Sequence, residues 1–329
     1  MAKRFIYVAF ALISLLLSYV YIILNMKVNI EGDTYFIINN GDTSSSVISR
    51  LQDQQIIDNN FLINLFIKLE SKIVASIVIK SGEYSINTND SLISILKKFH
   101  NNDIVLRQIT FIEGMTTAEI VNIINENEYL VGEINIELKE GYLFPDTYFF
   151  ARNTTRNDLL NIMFNKTNAL LDQLWNLYRD NIPLETKDEV LVMASIIEKE
   201  TGANAERELV SGIFYNRLKM NMRLQSDPTV IYAITNGQYK LERPLSKRDL
   251  KKKSAFNTYT TKGLPPTPIA NPGYKAIFAA FNPAETKFLY FVANGDGGHN
   301  FASNLRDHNK NVQILRKIER TRKMNNANK

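Results

Sequence analysis

The chain begins with an apolar run, Phe5 to Leu24, of 20 residues without a charge or a proline. At about 1.5 Å per residue a helix of that length spans ~30 Å, the thickness of a bilayer's hydrocarbon core. Nothing in the run supplies the polar face that a core helix of a soluble fold would show. Lys3 and Arg4 precede it, so the positive-inside rule puts the first residues in the cytoplasm and everything after Lys27 across the membrane. The segment ends Ile22-Ile23-Leu24-Asn25-Met26, with no small-residue pair to cleave. That favours an uncleaved signal anchor over a removed signal peptide.

After the anchor the pattern changes to short alternations. Tyr35-Phe36-Ile37-Ile38 runs into Gly41-Asp42-Thr43, then Val47, Ile48 and Leu51. Tyr84-Ser85-Ile86 runs into Asn89-Asp90-Ser91, then Leu92, Ile93, Ile95 and Leu96. Ile109-Thr110-Phe111-Ile112 runs into Glu113-Gly114 and Thr116, then Ile120, Val121, Ile123 and Ile124. Each segment predicts a strand, a turn, a capping residue and a helix with apolar residues at helical spacing. Thr116 and Glu119 have the spacing of a capping box. Together the three segments form a weak internal repeat.

From Tyr129 the character shifts. Glu140-Gly141-Tyr142-Leu143-Phe144-Pro145-Asp146-Thr147-Tyr148 predicts a turn flanked by aromatic rings, which suit a small satellite core or a sugar-binding wall. Thr186 and Glu189 repeat the capping-box spacing, and Val190 to Ile197 is apolar except for Ser195. Gly202 is a natural stop, so a buried helix is predicted that ends Glu198-Lys199-Glu200-Thr201.

The two glutamates lie about 200° apart around the helix axis and cannot form one paired site. Glu200 sits above Ile196, Ile197 and Met193, whereas Glu198 sits above Ala194 and Ser195. Burial on the bulkier face and the negative helix end both favour a protonated Glu200, the state a general acid needs. On these residues alone, a solvated Glu/Lys-rich helix end is the plainer reading.

Farther along, Asn216-Arg217-Leu218 closes a second apolar helix. In Ser226-Asp227-Pro228 either of the first two residues can cap a third, with proline at its start. Asn257-Thr258-Tyr259 leads into a stiff Gly263-Leu264-Pro265-Pro266 loop, and Leu289 to Ala293 predicts a strand running into Gly295-Asp296-Gly297-Gly298-His299. No Lys-Ser/Thr follows those glycines, which excludes a P-loop, and no serine sits in a G-x-S-x-G elbow. His299 and His308 are expected to hold loops.

Composition narrows the chemistry further. With 45% hydrophobic and 22% charged residues the chain can bury a core. It has no cysteine, which removes disulfides, thiolate metal sites and cysteine nucleophiles. The net charge of +5 resides in the last twenty residues, where seven Lys/Arg face one acid, Glu319. A nucleic-acid-binding fold would carry its charge on the body instead.

These motifs occur together in one order: EGMT (113–116), EGYLFPDTY (140–148), ASIIEKETG (194–202), NRL (216–218), MRLQSDPTVIYA (222–233), NTY (257–259), GLPP (263–266), ANPG (270–273), YFVANGDGGHNF (290–301) and HN (308–309). In combination they resemble the YceG-like family of endolytic murein transglycosylases, from about residue 33 to 310. The opening unit, with Phe36, Ile38, Gly41, Asp42, Thr43, Val47 and Ile48, is similar to the start of a LysM carbohydrate-binding module, although Ser44 stands where LysM usually carries an apolar residue.

The resemblance implies that Glu200 is the catalytic residue, first acid and then base. It would protonate the oxygen between N-acetylmuramic acid and N-acetylglucosamine, then take the muramic C6 hydroxyl proton as a 1,6-anhydro ring closes. No water enters, so the second carboxylate of an ordinary glycosidase is not required. Asp227 and Asp146 are the acids to test for that second role. Gln225, Asp227, Asn257 and Tyr259 are the candidate substrate contacts.

The expectation is therefore an α+β protein: a cytoplasmic stub (1–4), a transmembrane anchor (5–24), a linker (25–32), a LysM-like αβ region (33–128), a catalytic domain related to lytic transglycosylases (129–310) and a basic tail (311–329). It would sit in the inner membrane with its bulk in the periplasm and cut nascent peptidoglycan strands, with peptidoglycan synthases as partners by family analogy and with no cofactor, metal or nucleic acid. The rival readings are a hydrolytic muramidase and a non-catalytic glycan-binding or scaffold protein.

Overall fold

The computed structural model describes residues 2–59 and 79–327. Contacts divide the chain into two units. The first comprises residues 1–108 with 149–153, and the second comprises 109–148 with 154–329. The division therefore falls about twenty residues earlier than the expected boundary at 128.

In the first unit, α1 (Ala2–Asn25) is followed by β1 (Thr34–Ile38), α2 (Ser44–Asp53), β2 (Gly82–Ile86) and α3 (Leu92–Asn101). β1 and β2 pair antiparallel, with Phe36 opposite Tyr84. Phe36 and Tyr84 pack on Phe99 of α3, at ring-centroid distances of 5.9 and 4.7 Å. The alternation of β1 is visible in its burial: Phe36 and Ile38 point inward, Tyr35 and Ile37 outward.

The segment Arg4–Asn25 of α1 has mean hydropathy 2.4 and is long and apolar enough to cross a membrane. Its end is not followed by a free linker. Leu24 and Val28 are buried in the core of the first unit, and the Val28 amide donates to the Asp90 carbonyl at 2.9 Å. Lys27 Nζ donates to Asn89 Oδ1 at 2.8 Å. The expected 25–32 linker is thus tied down by apolar burial and backbone bonding over its first four residues.

The strand–turn–helix repeat is real at the level of local structure. β3 (Leu106–Thr110) and α4 (Thr117–Glu126) complete it, and α2, α3 and α4 all start on a reciprocal capping box, at Thr43, Ser91 and Thr116. Each box satisfies amide donors that a helix start leaves unpaired.

In the second unit β4 (Leu130–Val131) comes next; β5 (Thr147–Ala151), which pairs with β3, starts in the second unit and ends in the first; and β6 (Thr154–Thr155), back in the second, pairs with β4. α5 (Arg156–Tyr178), α6 (Lys187–Glu200), α7 (Arg207–Lys219), α8 (Asp227–Thr235) and α9 (Tyr274–Phe281) follow. The hairpin β7 (Tyr290–Ala293) and β8 (His299–Ala302) and a long α10 (Leu305–Ala327) close the chain. The basic tail is therefore the continuation of a helix that starts before residue 310.

α6 lies at the centre of this unit. Val190 through Ile197 are all buried, with α9 packed on them through Ala276, Ala279 and Ala280. Ser195, the polar break in that run, is satisfied: its Oγ donates to the Val192 carbonyl (2.7 Å) and accepts from the Ile269 amide (3.0 Å). Gly212 on α7 is fixed by close approach, because a Cβ there would meet the Ala284 carbonyl oxygen at 2.2 Å.

Candidate active site

The capping box of Thr186 and Glu189 starts α6, and Glu200 is its last residue. The apolar run before it carries the Glu200 side chain to the edge of the core, where it lines a groove of about 490 Å³. Burial pushes the carboxyl up from an ordinary 4.5 to about 7. The Ser226 hydroxyl and the positive charge of Arg217 pull it back, while the negative charge of Asp227 pushes the same way as burial. Ser226 Oγ is buried and has no regular hydrogen-bond partner among the described residues, so its influence is exerted by proximity rather than by a well-formed bond.

Asp227, Gln225 and Tyr259 line the same groove. Ser226 is the cap position of α8, with Asp227 its first residue and Pro228 its second. The Tyr259 hydroxyl donates to Asp227 Oδ1 at 2.6 Å. Behind them, Thr258 ties the two motifs together. Its Oγ1 accepts from the Ser226 amide (3.0 Å) and shares a bond with Thr229 Oγ1 (2.8 Å), and its carbonyl accepts from the Gln225 amide (3.2 Å). Gln225 itself adopts φ +52°, a left-handed conformation that a side-chain-bearing residue holds only when its surroundings impose it.

Asn257 does not line the groove. It is fully buried: Nδ2 donates to the carbonyls of Leu250 (3.2 Å) and Lys252 (2.7 Å), and Oδ1 accepts from the Tyr259 amide (2.9 Å). It shapes the loop that presents Tyr259. Asp146 is likewise absent from the groove, engaged with Lys166 on α5, which holds its carboxyl below the usual range.

Sequence reasoning missed much of the other wall. Arg217, Tyr290, His299 and His308 all line the groove. The buried Arg217 guanidinium is held by backbone carbonyls of Leu289 (2.6 Å), Leu224 (2.7 Å) and Arg223 (3.3 Å), and lies 5.2 Å from the Tyr290 ring centroid. Its hydrogen bonds among the described residues all go to backbone carbonyls and none to a carboxylate. His308 stacks on Tyr290 at 5.1 Å, while His299 Nδ1 bonds Glu206 at 2.7 Å. Both imidazoles were expected to hold loops; His299 does hold one through Glu206, and both also face the groove. The NRL, YFVANGDGGHNF and HN motifs, far apart in sequence, contain these side chains without showing that they meet.

Glu198 points elsewhere. It pairs with the buried Arg207 at 2.8 Å and accepts the Gly273 amide at 3.0 Å. Among the described residues no group of three or more His, Asp or Glu side chains could hold a metal ion.

The second unit thus presents an open polar groove with aromatic sides and a desolvated carboxyl at its edge, the layout of an acid catalyst working on an extended polar substrate. The YceG-like family model matches residues 36–314, and the chain belongs to that family. It is 31% identical to the endolytic murein transglycosylase of Bacillus subtilis (strain 168) in an alignment of 317 residues that covers 85% of each chain. It is 37% identical over 181 residues to the endolytic murein transglycosylase of Streptococcus pneumoniae (strain ATCC BAA-255 / R6), covering 53% of this chain and 31% of that one. The crystal structure of a yceG-like protein from Listeria monocytogenes matches with a TM-score of 0.52 at 28% identity, covering 84% of this chain and 98% of that one.

Proposed function

We propose that this chain is an endolytic peptidoglycan lytic transglycosylase in which Glu200 acts first as acid and then as base. The observation that carries the reading is the Glu200 carboxyl, desolvated at the end of α6 and opening on the groove with a pKa of about 7. A group poised there is half protonated at neutral pH and can both give and take a proton. The names of the curated relatives support the substrate and the reaction.

In the first half-reaction the Glu200 carboxyl protonates the glycosidic oxygen between N-acetylmuramic acid and N-acetylglucosamine, and the C1–O bond breaks. In the second, the Glu200 carboxylate takes the proton of the muramic C6 hydroxyl. The C6 oxygen bonds to C1 and closes a 1,6-anhydro ring. Arg217 stabilises the carboxylate formed between the two steps, since its charge is held by neutral carbonyls. Asp227, the other acid lining the groove, is bonded by Tyr259 and keeps Glu200 protonated by repulsion.

The apolar α1 anchors the enzyme in the membrane with the chain after it on the outer side, so that it acts on strands still close to the bilayer. Purified glycan strands incubated with the wild-type chain should yield anhydromuramic ends, and the Glu200→Gln variant should yield none. A Glu200→Gln variant with undiminished activity would sink the assignment.

A further inference from the structure

The wall of the groove formed by the start of α10 has no role in the proton transfers above. Leu305, His308, Asn309 and Val312, spaced along one face of that helix, line the groove beside Tyr290 of β7. Two polar side chains are thus bracketed by two apolar ones. The His308 ring is fixed flat against Tyr290, at 5.1 Å with an interplanar angle of 26°. Its Nδ1 is buried and without a hydrogen-bond partner among the described residues. Its Nε2 has no hydrogen-bond partner among the described residues, and the side chain lines the groove.

Hydrogen-bond satisfaction selects the tautomer. Burial and the nearby Arg217 charge hold the imidazole below its ordinary pKa, so it is neutral at neutral pH. Nδ1 has no acceptor to receive a proton's bond. The hydrogen therefore resides on Nε2, a neutral donor on a side chain that lines the groove.

We propose that this wall is a recognition site for the N-acetyl group of an amino sugar, with His308 Nε2–H donating to the acetamido carbonyl oxygen and an aliphatic neighbour one turn away, Leu305 or Val312, against the methyl. An acetamido group offers one strong acceptor beside one small apolar end, which matches a single donor between two aliphatic side chains on a helix face. The inference rests on the glycan substrate proposed above but is independent of how the bond is cut. It gives the enzyme a means of rejecting strands whose amino sugars have lost the acetyl group. Such a strand would present an ammonium to a neutral donor close to the Arg217 charge.

Binding separates this inference from the catalytic reading. The full-length chain carrying Glu200→Gln, in detergent, is titrated calorimetrically with a glycan strand of alternating N-acetylglucosamine and N-acetylmuramic acid, and with the same strand after chemical N-deacetylation. The Glu200→Gln parent should prefer the acetylated strand. Adding His308→Ala should weaken that binding roughly five- to tenfold, the effect of one lost hydrogen bond, and leave the deacetylated strand unaffected. Adding His308→Gln, whose amide nitrogen reaches the Nε2 position, should restore most of the affinity. Adding His308→Asn, whose amide reaches only the Nδ1 position, should not. Equal weakening on both strands, no weakening, rescue by Asn as well as Gln, or a parent that binds neither strand would each overturn the proposal. The catalytic reading fails on a different result, activity that survives Glu200→Gln.

Discussion

Glu198 and Glu200 stand two residues apart at the end of α6, and their carboxyls meet opposite surroundings. Glu198 is neutralised by Arg207 at 2.8 Å and bonded to the Gly273 amide at 3.0 Å. Glu200 is desolvated beside an open groove. Replacing each with glutamine should therefore have contrasting effects. Glu198→Gln removes the nearer carboxylate from the buried Arg207, leaving Glu113 at 3.8 Å, and should lower stability by about 1–3 kcal/mol, with turnover per folded molecule largely kept. Glu200→Gln should cut turnover by at least ~100-fold without lowering the melting temperature at pH 8. Thermal melts and product analysis on the two variants check the pair.

The elevated pKa of Glu200 has a signed consequence for stability. Between about pH 4.5 and 7 the folded state keeps a proton that the unfolded state has released. The group's favourable contribution is complete below about 4.5 and is lost as pH rises through about 7. Glu200→Gln cannot lose that proton. Its stability relative to wild type should rise from pH 4.5 to pH 8, by on the order of 2 kcal/mol after screening from the open side of the groove. Denaturant melts at the two pH values give the difference directly, and a parallel pair of curves would count against a buried acid.

Activity should share that midpoint. As an initial acid, Glu200 must be protonated, so the rate should fall above about pH 7. Asp227 raises the Glu200 pKa by repulsion. Asp227→Asn should then move the alkaline limb of the pH–rate profile toward acid and reduce the rate at pH 7.5. A limb that stays in place would separate Asp227 from the electrostatics of Glu200.

The start of the first unit gives a stability prediction. A chain beginning at Met26 keeps Val28 in its core and the bond to Asp90, whereas one beginning at Asp33 loses both. The shorter chain should be less stable by about 1–3 kcal/mol in the unfolding of the first unit. Equal melts would mean that residues 26–32 are a passive tether.

Much of this was legible in the sequence because it is local. The capping boxes at Thr116 and Thr186, the capping residues Thr43 and Ser91 and the apolar run of α6 depend on residues within a few positions of one another. So does the face that carries Glu200. The opposite wall was not legible, because Arg217, Tyr290 and His308 are brought together by backbone carbonyls and ring stacking across some ninety residues. Asn257 was misread for a related reason. Its motif neighbour Tyr259 reaches the groove, but the asparagine turns inward to satisfy the carbonyls of its own loop, and spacing in a loop does not tell the two directions apart. The segment expected as a linker at 25–32 packs instead through Val28 and Ile30, apolar residues alternating with polar ones, a pattern too short to read as an element.

The chemistry assigned to Glu200 can be tested by digesting glycan strands with the full-length protein in ¹⁸O-labelled water and weighing the new muramic ends. Intramolecular closure by the C6 hydroxyl predicts ends one water lighter than a reducing sugar and free of label. Reducing ends that carry ¹⁸O would show that water attacks C1 and would contradict the account.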